Sequence, residues 1–377
     1  MGFRKVLYSR RLWVAVLGFL FCVVIIVRSG SLTERYDFLS VQRGHVLMVD
    51  NTHLQLDPTI ENLYLGRQIL EIEITTGEFA GQRYRIDNTL SRFFNHKAQE
   101  GMEMLFHINV QGGAVFQVHV FGHSRSAFMF TFAGLFALVL VAVGRKKGLY
   151  SVISLLFTLS VIVFFMIPLI LEGHNPVILA VVTAILTAVF SILLVGDVTV
   201  KSVAAIGGTV AGVAIAGAIG VMAGRIAHIS GLHLEHVQEL AYQQGRDGLI
   251  RLPLLLFAGI IIASLGAVMD VGMSIASSVF EMKRVNPSLS VKQLYKSGMN
   301  IGRDIIGTMS NTLILAFAGT SITVMVIIAT YQLPYIRLIN LDLLAVEVIQ
   351  GLSASVGLVL TVPITAFLAA FFAAKHN

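Results

Sequence analysis

The sequence predicts an α-helical polytopic membrane protein with about eight transmembrane helices and a small extracytoplasmic β-barrel or sandwich domain inserted after the first helix. Three observations predict this. Apolar residues make up 56% of the chain and charged residues 13%, whereas soluble domains have roughly 25% charged residues. The apolar residues form runs long enough to cross a hydrocarbon core of about 30 Å. After the first run, residues 30–125 are more polar, and parts of them alternate between apolar and polar side chains.

The first apolar run, residues 12–27, follows a basic N-terminus that contains Arg4, Lys5, Arg10 and Arg11. This arrangement resembles a signal sequence, but no A-x-A site follows the run, and the run is longer than a usual signal core. We therefore predict a retained anchor whose N-terminus lies in the cytoplasm. Residues 1–29 form this first domain.

Residues 30–125 form the predicted β domain. Leu70, Ile72 and Ile74 alternate with polar residues, and the same pattern recurs near residues 84–86 and 104–110. Such alternation is typical of half-buried strands. Glycine turns near residues 75–82 and 112–113 favour an antiparallel barrel or sandwich of five or six strands. Its basic and aromatic residues are interpreted mainly as a solvated face and an ordinary core, with a binding face as the alternative.

Seven further apolar runs predict a transmembrane domain over residues 126–377. They are residues 128–143, 149–171, 177–195, 203–222, 252–280, 305–329 and 343–372. Placing the basic connectors, residues 144–148 and 283–303, on the cytoplasmic side satisfies the positive-inside rule. It leaves the C-terminus cytoplasmic and the β domain outside. The net charge of +6 is explained by these connectors, so no nucleic-acid partner is expected.

Polar residues recur at helical spacing inside three apolar runs. Asp270 begins one stripe and Asp304 belongs to a second, while Glu347 and Gln350 begin a third. An ionisable residue near the bilayer centre costs at least ~2.5–3.5 kcal/mol, so we expect the stripes to face each other, water or a substrate. The predicted ion or solute pathway comprises Asp270, Ser274, Ser277, Glu281, Asn300, Arg303, Asp304, Thr308, Asn311, Glu347 and Gln350.

Each acid taken alone is also compatible with a structural role, satisfied by a neighbouring helix. Arg303 would then simply pair with an acid at the membrane edge. Three polar stripes on three helices favour instead a shared polar cavity that binds a cation or relays protons. The glycines Gly298, Gly302 and Gly307 add the possibility of a bent or broken helix that exposes backbone groups to a substrate.

A glycine pattern and a histidine-rich region each have more than one interpretation. Gly208-x-x-x-Gly212 is a small-residue contact pattern that brings helices close together, within one subunit or between two. A region rich in histidine and glutamate, residues 225–251, favours an interfacial helix on the outer surface over a zinc site or pH sensor. The residues of this possible metal site are His228, His233, Glu235, His236 and Glu239.

The chain lacks the common enzyme signatures. Cys22 is the single cysteine, which excludes a disulfide framework and a site built on several cysteines. No Walker A, HExxH or GxSxG motif occurs. We therefore expect no enzymatic activity and no cofactor. A membrane aspartyl protease built on Asp270 and Asp304 is the minor alternative.

Two polar segments, LGAVMDVGMSIASSVFEM (residues 265–282) and SGMNIGRDIIGTMSNTLILAFAG (residues 297–319), carry a resemblance. There the sequence resembles the YibE/F family of bacterial multi-pass membrane proteins, over most of residues 126–375. The resemblance implies a permease-like protein of the bacterial cell membrane with no established substrate. It also implies a shorter YibE/F-like subunit as a plausible partner in a hetero-oligomer, beside the homo-oligomer.

The sequence thus predicts a membrane permease or secondary transporter. It would move an ion or small solute, coupled to a cation or proton, through a polar site within the membrane. The expected partners are membrane lipid, the transported solute or cation, and a second subunit. The alternative is a non-transporting scaffold whose outer β domain binds a partner in the cell envelope.

Overall fold

The computed structural model describes residues 13–25, 40–111, 114–229, 240, 250–331 and 333–375. The chain divides into two compact units. One unit is Gly30–Val139, and the other comprises Met1–Ser29 and Leu140–Asn377. The first unit holds the β structure and the second holds most of the helices.

Five antiparallel strands form a single, nearly closed sheet with the order β3-β2-β1-β4-β5. The strands are β1 Ser40–Leu56, β2 Tyr64–Ile74, β3 Arg83–Leu90, β4 Glu103–Gln111 and β5 Ala114–His123. The predicted hairpin connects β2 and β3, with Gly77 and Gly81 at φ values of 76° and 83°. The predicted turn at residues 112–113 lies outside the described residues.

The predicted alternation produces the core of this sheet. Leu70, Ile72 and Ile74 of β2 are fully buried, as are Met104 and Phe106 of β4. Successive side chains of a strand point to opposite faces of the sheet, so a strand with one buried face has alternately buried and exposed residues. The small β domain is therefore confirmed, while its position outside the cell stays a prediction.

The remaining described chain is helical, apart from short connections. The helices are α1 Trp13–Ile25, α2 Ser126–Val161, α3 Ile167–Leu171, α4 Pro176–Gly196, α5 Val200–Ile226, α6 Leu252–Val285, α7 Val291–Thr320, α8 Ile322–Thr330, α9 Tyr335–Ile339 and α10 Asp342–Lys375. A π-helical turn, Ile162–Met166, joins α2 to α3.

Among the described residues, five helical segments are long and apolar enough to cross a membrane, and α7 with α8 forms a sixth if that pair, bent by 58°, is one span. The chain is therefore a membrane protein, but the predicted number of eight spans is not confirmed. The segment from α2 to α3, Ser126–Leu171, has 46 residues and exceeds the ~20 residues that one crossing needs. The predicted anchor appears as the shorter apolar helix α1.

The long α2 segment is broken at Arg145, whose φ is 51° and ψ is −128°. A Cβ added at Gly148 would lie 2.0 Å from the carbonyl oxygen of Leu140. In an uninterrupted helix these two residues would be ~12 Å apart along the axis. The chain therefore turns back within the basic connector that the sequence predicts at residues 144–148.

Close packing between α5 and α10 forms the centre of the helical unit. Gly208 and Gly212 of α5 lie against the hydroxyl groups of Thr365 and Thr361, and Gly357 of α10 lies against Ala216 of α5. Small residues allow two helix backbones to approach closely. The glycine pattern on α5 is therefore used inside the chain.

Candidate polar face of helices α6 and α7

The polar stripe of α6 lies on the side of the helix opposite its buried side. Val268, Ile275 and Val279 are buried against the other helices, whereas Asp270 and Ser274 are exposed. At 100° per residue, the stripe points roughly 180° away from the buried side. Ser277 and Ser278 are half-buried at its margin.

Helix α7 has the same arrangement. A capping box of Ser290 and Gln293 starts the helix, which satisfies backbone N–H groups of its first turn. The residues that face the bundle are small or apolar, and they include Leu294, Gly298 and Gly302. The stripe residues are exposed on the other side: Asn300, Asp304, Thr308 and Asn311.

Glycine contacts fix the relative height of the two stripes. A Cβ added at Gly298 would lie 2.8 Å from Val279, and one added at Gly302 would lie 3.5 Å from Ile275. The two helices are therefore antiparallel neighbours. Extending this register places Asp270 level with Gly307, three residues beyond Asp304, which is ~4.5 Å along the axis. The two aspartates thus lie at similar depth on neighbouring helices.

Glu347 lies at a different depth. Gly302 of α7 contacts Val362 of α10, and near the other end of α7 Phe317 contacts Gly351. This register places Glu347 level with the last turn of α7. It is then ~20 Å or more from Asp304 along the bundle. Glu347 and Gln350 are half-buried, and they form a second polar position rather than part of the one near the aspartates.

Two charged residues of the predicted site have local partners. The Arg284 Nε donates a hydrogen bond of 3.0 Å to the Glu281 Oε2, and both side chains are exposed at the end of α6. Arg303 donates from Nη1 to the Asn300 Oδ1 at 3.2 Å. Glu281 is therefore part of a surface ion pair, and Arg303 contacts an amide on its own helix.

The carboxylates of Asp270, Asp304 and Glu347 have no hydrogen bond or ion pair within the described part of the chain. A charged group without a partner is costly in a membrane. Water, a bound ion or another protein surface is therefore needed to stabilise the ionised form of Asp270 and Asp304.

The continuous helix α7 overturns the idea of a break at its glycines. Gly298 and Gly302 are packing positions against Ala366 and Val362 of α10. The bend occurs later, where Ser321 separates α7 from α8. Small side chains at these two positions therefore permit close helix contact instead of exposing the backbone to a substrate.

The interior of the bundle contains hydroxyl groups that the sequence interpretation did not include. Thr183, Thr209 and Thr365 are fully buried, and their Oγ1 atoms have no hydrogen-bond partner among the described residues. For two of them the sequence held a local signal, because Thr209 directly follows the packing glycine Gly208 and Thr365 lies about two helical turns after the packing glycine Gly357.

No group of three or more His, Cys, Asp or Glu side chains that could hold a metal ion occurs among the described residues. Of the possible histidine site, only His228 is described. His233, Glu235, His236 and Glu239 lie outside the described residues, as does most of the predicted interfacial helix.

Comparison with known proteins identifies a family. The model of the family described as YibE/F-like protein matches residues 132–375, which include both polar stripes. No curated protein and no solved structure matches the chain.

Proposed function

Because the chain belongs to the YibE/F-like family, we propose that it is a bacterial membrane permease that moves an ion or small solute along the polar face of α6 and α7. The proposal includes no enzymatic step. Asp270 and Asp304 carry the charge, and Ser274, Asn300 and Thr308 provide neutral oxygen ligands between them. Coupling to a cation or proton fits carboxylates that lie within apolar helices long enough to cross a membrane.

The observation that carries this proposal is the match in depth of two exposed stripes on neighbouring antiparallel helices. One polar residue on a lipid-facing surface is tolerable, because long side chains reach the interface and local water relieves the cost. For two aligned rows of acids, amides and hydroxyls, the free-energy cost of contact with lipid is much larger, because acyl chains form no hydrogen bonds with these groups. Their ordinary surroundings are therefore water or protein.

A second subunit is needed to enclose such a path, because both stripes point away from the other described helices of the same unit. We propose a second copy of this chain, with a shorter YibE/F-like subunit as the alternative. In a two-fold dimer the same surface contacts itself. Two copies of the α6–α7 face would then line one polar channel. Glu347 and Gln350 would serve a separate position nearer one end.

The proposed orientation has both termini in the cytoplasm and the β domain on the outer side of the bacterial cell membrane. The basic residues at the end of α6 and in the connector after it support this orientation. Labelling of single cysteines in intact cells, with a membrane-impermeant and then a membrane-permeant thiol reagent, measures this orientation.

Flux in proteoliposomes tests the transport proposal. Asp270→Asn and Asp304→Asn keep the shape of the side chain and remove the charge, so we expect at least a tenfold loss of proton or cation flux. Asp87→Asn is the matched control, because Asp87 is an exposed acid of the β unit paired with Arg67 at 3.2 Å. Wild-type flux in both stripe variants, with normal folding, would reject the proposed path.

The scaffold function has one observation in its favour. A groove of about 490 Å³ lies between the two edge strands β3 and β5, and Tyr84, Arg85, Phe116 and His119 line it. Edge strands offer unpaired backbone groups to an added strand. Deletion of residues 36–123 separates the two functions: a permease keeps its flux, whereas a scaffold loses its envelope partner.

A further inference from the structure

A second surface of the helical unit carries a site of different chemistry. A groove of about 660 Å³ lies between α4, α5 and α6, and its lining includes Val181, Ala214, Ala218, Val221 and Ile261. One charged residue, Arg225, lines it as well. None of the pathway residues of α6 and α7 belongs to this lining.

Small side chains on α5 create the groove. Gly217 lies so close to Ile261 of α6 that an added Cβ would be 2.7 Å from it. Ala214 and Ala218 lie on adjoining positions and are exposed. The close contact of α5 with α6 therefore leaves a recess on the outer side, where larger residues of α4 form the other wall.

Arg225 lies in the last turn of α5 and is exposed. Within the described residues its guanidinium has no ion pair and no hydrogen bond. Among the described residues, the groove thus has apolar walls along its length and one cation without an ion pair at one end. An apolar helix of another subunit would fit the walls but would not itself supply a partner for this charge.

We propose that this groove binds a phospholipid with an anionic headgroup, with one acyl chain along α5 and the phosphate on Arg225. The apolar recess lies on helices that are apolar enough to cross a membrane, so acyl chains are the molecules that surround it. Basic residues near a membrane surface attract anionic headgroups. Arginine also donates two parallel hydrogen bonds to a phosphate.

Lipid binding to the full-length protein in detergent micelles tests this site. Native mass spectrometry would follow titration with phosphatidylglycerol or phosphatidylcholine. Wild-type protein should prefer phosphatidylglycerol, and Arg225→Gln should weaken its binding about fivefold. Arg225→Lys keeps the charge and should retain most of the preference. Lys201→Gln, at the opposite end of α5, is the matched control and should leave binding unchanged.

Ala218→Phe fills the groove without altering charge, and it should weaken binding of both lipids. Inorganic phosphate at the same concentration should not displace phosphatidylglycerol, because it has no acyl chain. The proposal is overturned if Arg225→Gln keeps the full preference, if Ala218→Phe binds as well as wild type, or if phosphate alone displaces the lipid. None of these results depends on flux.

Discussion

Gly208 of α5 and Thr365 of α10 are in direct contact: a Cβ added to the glycine would lie 1.8 Å from the Oγ1 of the threonine. No L-amino acid side chain fits this position without moving one of the two helices. The contact lies at the central crossing of the bundle, next to the equivalent contact of Gly212 with Thr361.

Gly208→Ala should therefore destabilise the protein, by ~1–3 kcal/mol, which is typical of an overpacked core. Thermal unfolding in detergent micelles measures the change. Gly266→Ala is the matched control, because no heavy atom lies within 4 Å of the added Cβ. That variant should be neutral or gain up to ~1 kcal/mol from helix propensity. Equal melting temperatures for both variants would contradict the proposed role of this crossing.

The exposed polar face of α6 and α7 predicts contact between two copies of the chain. In a Cys22→Ser background, single cysteines at Ser274, Thr308 and Asn311 should be joined into dimers in the membrane by a flexible bifunctional thiol reagent that can span the proposed channel. Leu352→Cys is the control, because this exposed residue lies on α10 outside the stripes. The interface is wrong if all three stripe cysteines remain monomeric, or if the control forms dimers as readily.

Asp57 and Arg92 predict an acid-sensitive contact in the β unit. The Arg92 guanidinium, whose Nε lies 2.6 Å from the Asp57 Oδ2, holds the pKa of that carboxyl well below its usual range. The amides of Thr59 and Ile60 donate to the same carboxylate at 2.7 and 3.1 Å. A lowered pKa in the folded state contributes stability above the unfolded value of about 4, and this stability is lost as the pH falls below it.

Hydrogen exchange of the Thr59 and Ile60 amides in the full-length protein, corrected for intrinsic rates, measures this effect. Protection should be constant from neutral pH to about pH 4 and then decrease. Asp57→Asn should lower protection at neutral pH and remove the pH dependence. Asp87→Asn breaks only a surface pair and should have little effect. Acid-independent protection in the wild type would contradict the prediction.

His123 at the end of β5 should titrate below an ordinary histidine. Partial burial lowers its pKa, and the charges of His96 and Arg125 lower it further. The two imidazole rings meet edge to face with centroids 5.7 Å apart. Since folding disfavours the charged form, stability is highest above the unfolded pKa of about 6.5 and decreases as the pH falls through that value.

NMR titration of labelled histidines in the full-length protein measures the pKa of His123 directly. His96→Asn removes one of the lowering charges and should raise this pKa. His53→Asn is the control, because His53 lies in β1 and is not among the causes of the shift. An unchanged His123 titration in His96→Asn would exclude the coupling between the two rings.

The class of protein, the β unit and the positions of the polar stripes could all be predicted from the order of the amino acids. These features depend on local patterns: long apolar runs, alternation along β2 and β4, and polar residues at helical spacing near Asp270 and Asp304. Local patterns follow from the geometry of one helix or strand. The break near Arg145 was predictable for the same reason, because its connector is basic and begins and ends with glycine.

The contacts of each helix face, by contrast, became known from the packing of the helices against one another. Helical periodicity shows that Asp270 and Ser274 share a side of α6, but an inward and an outward polar side have the same spacing. The packing of Gly298 and Gly302 against α6 and α10 turns the stripe of α7 outward, and the same register separates Glu347 from the aspartates. Contacts between distant segments depend on the shapes of two surfaces at once, and a single helix sequence does not contain that information.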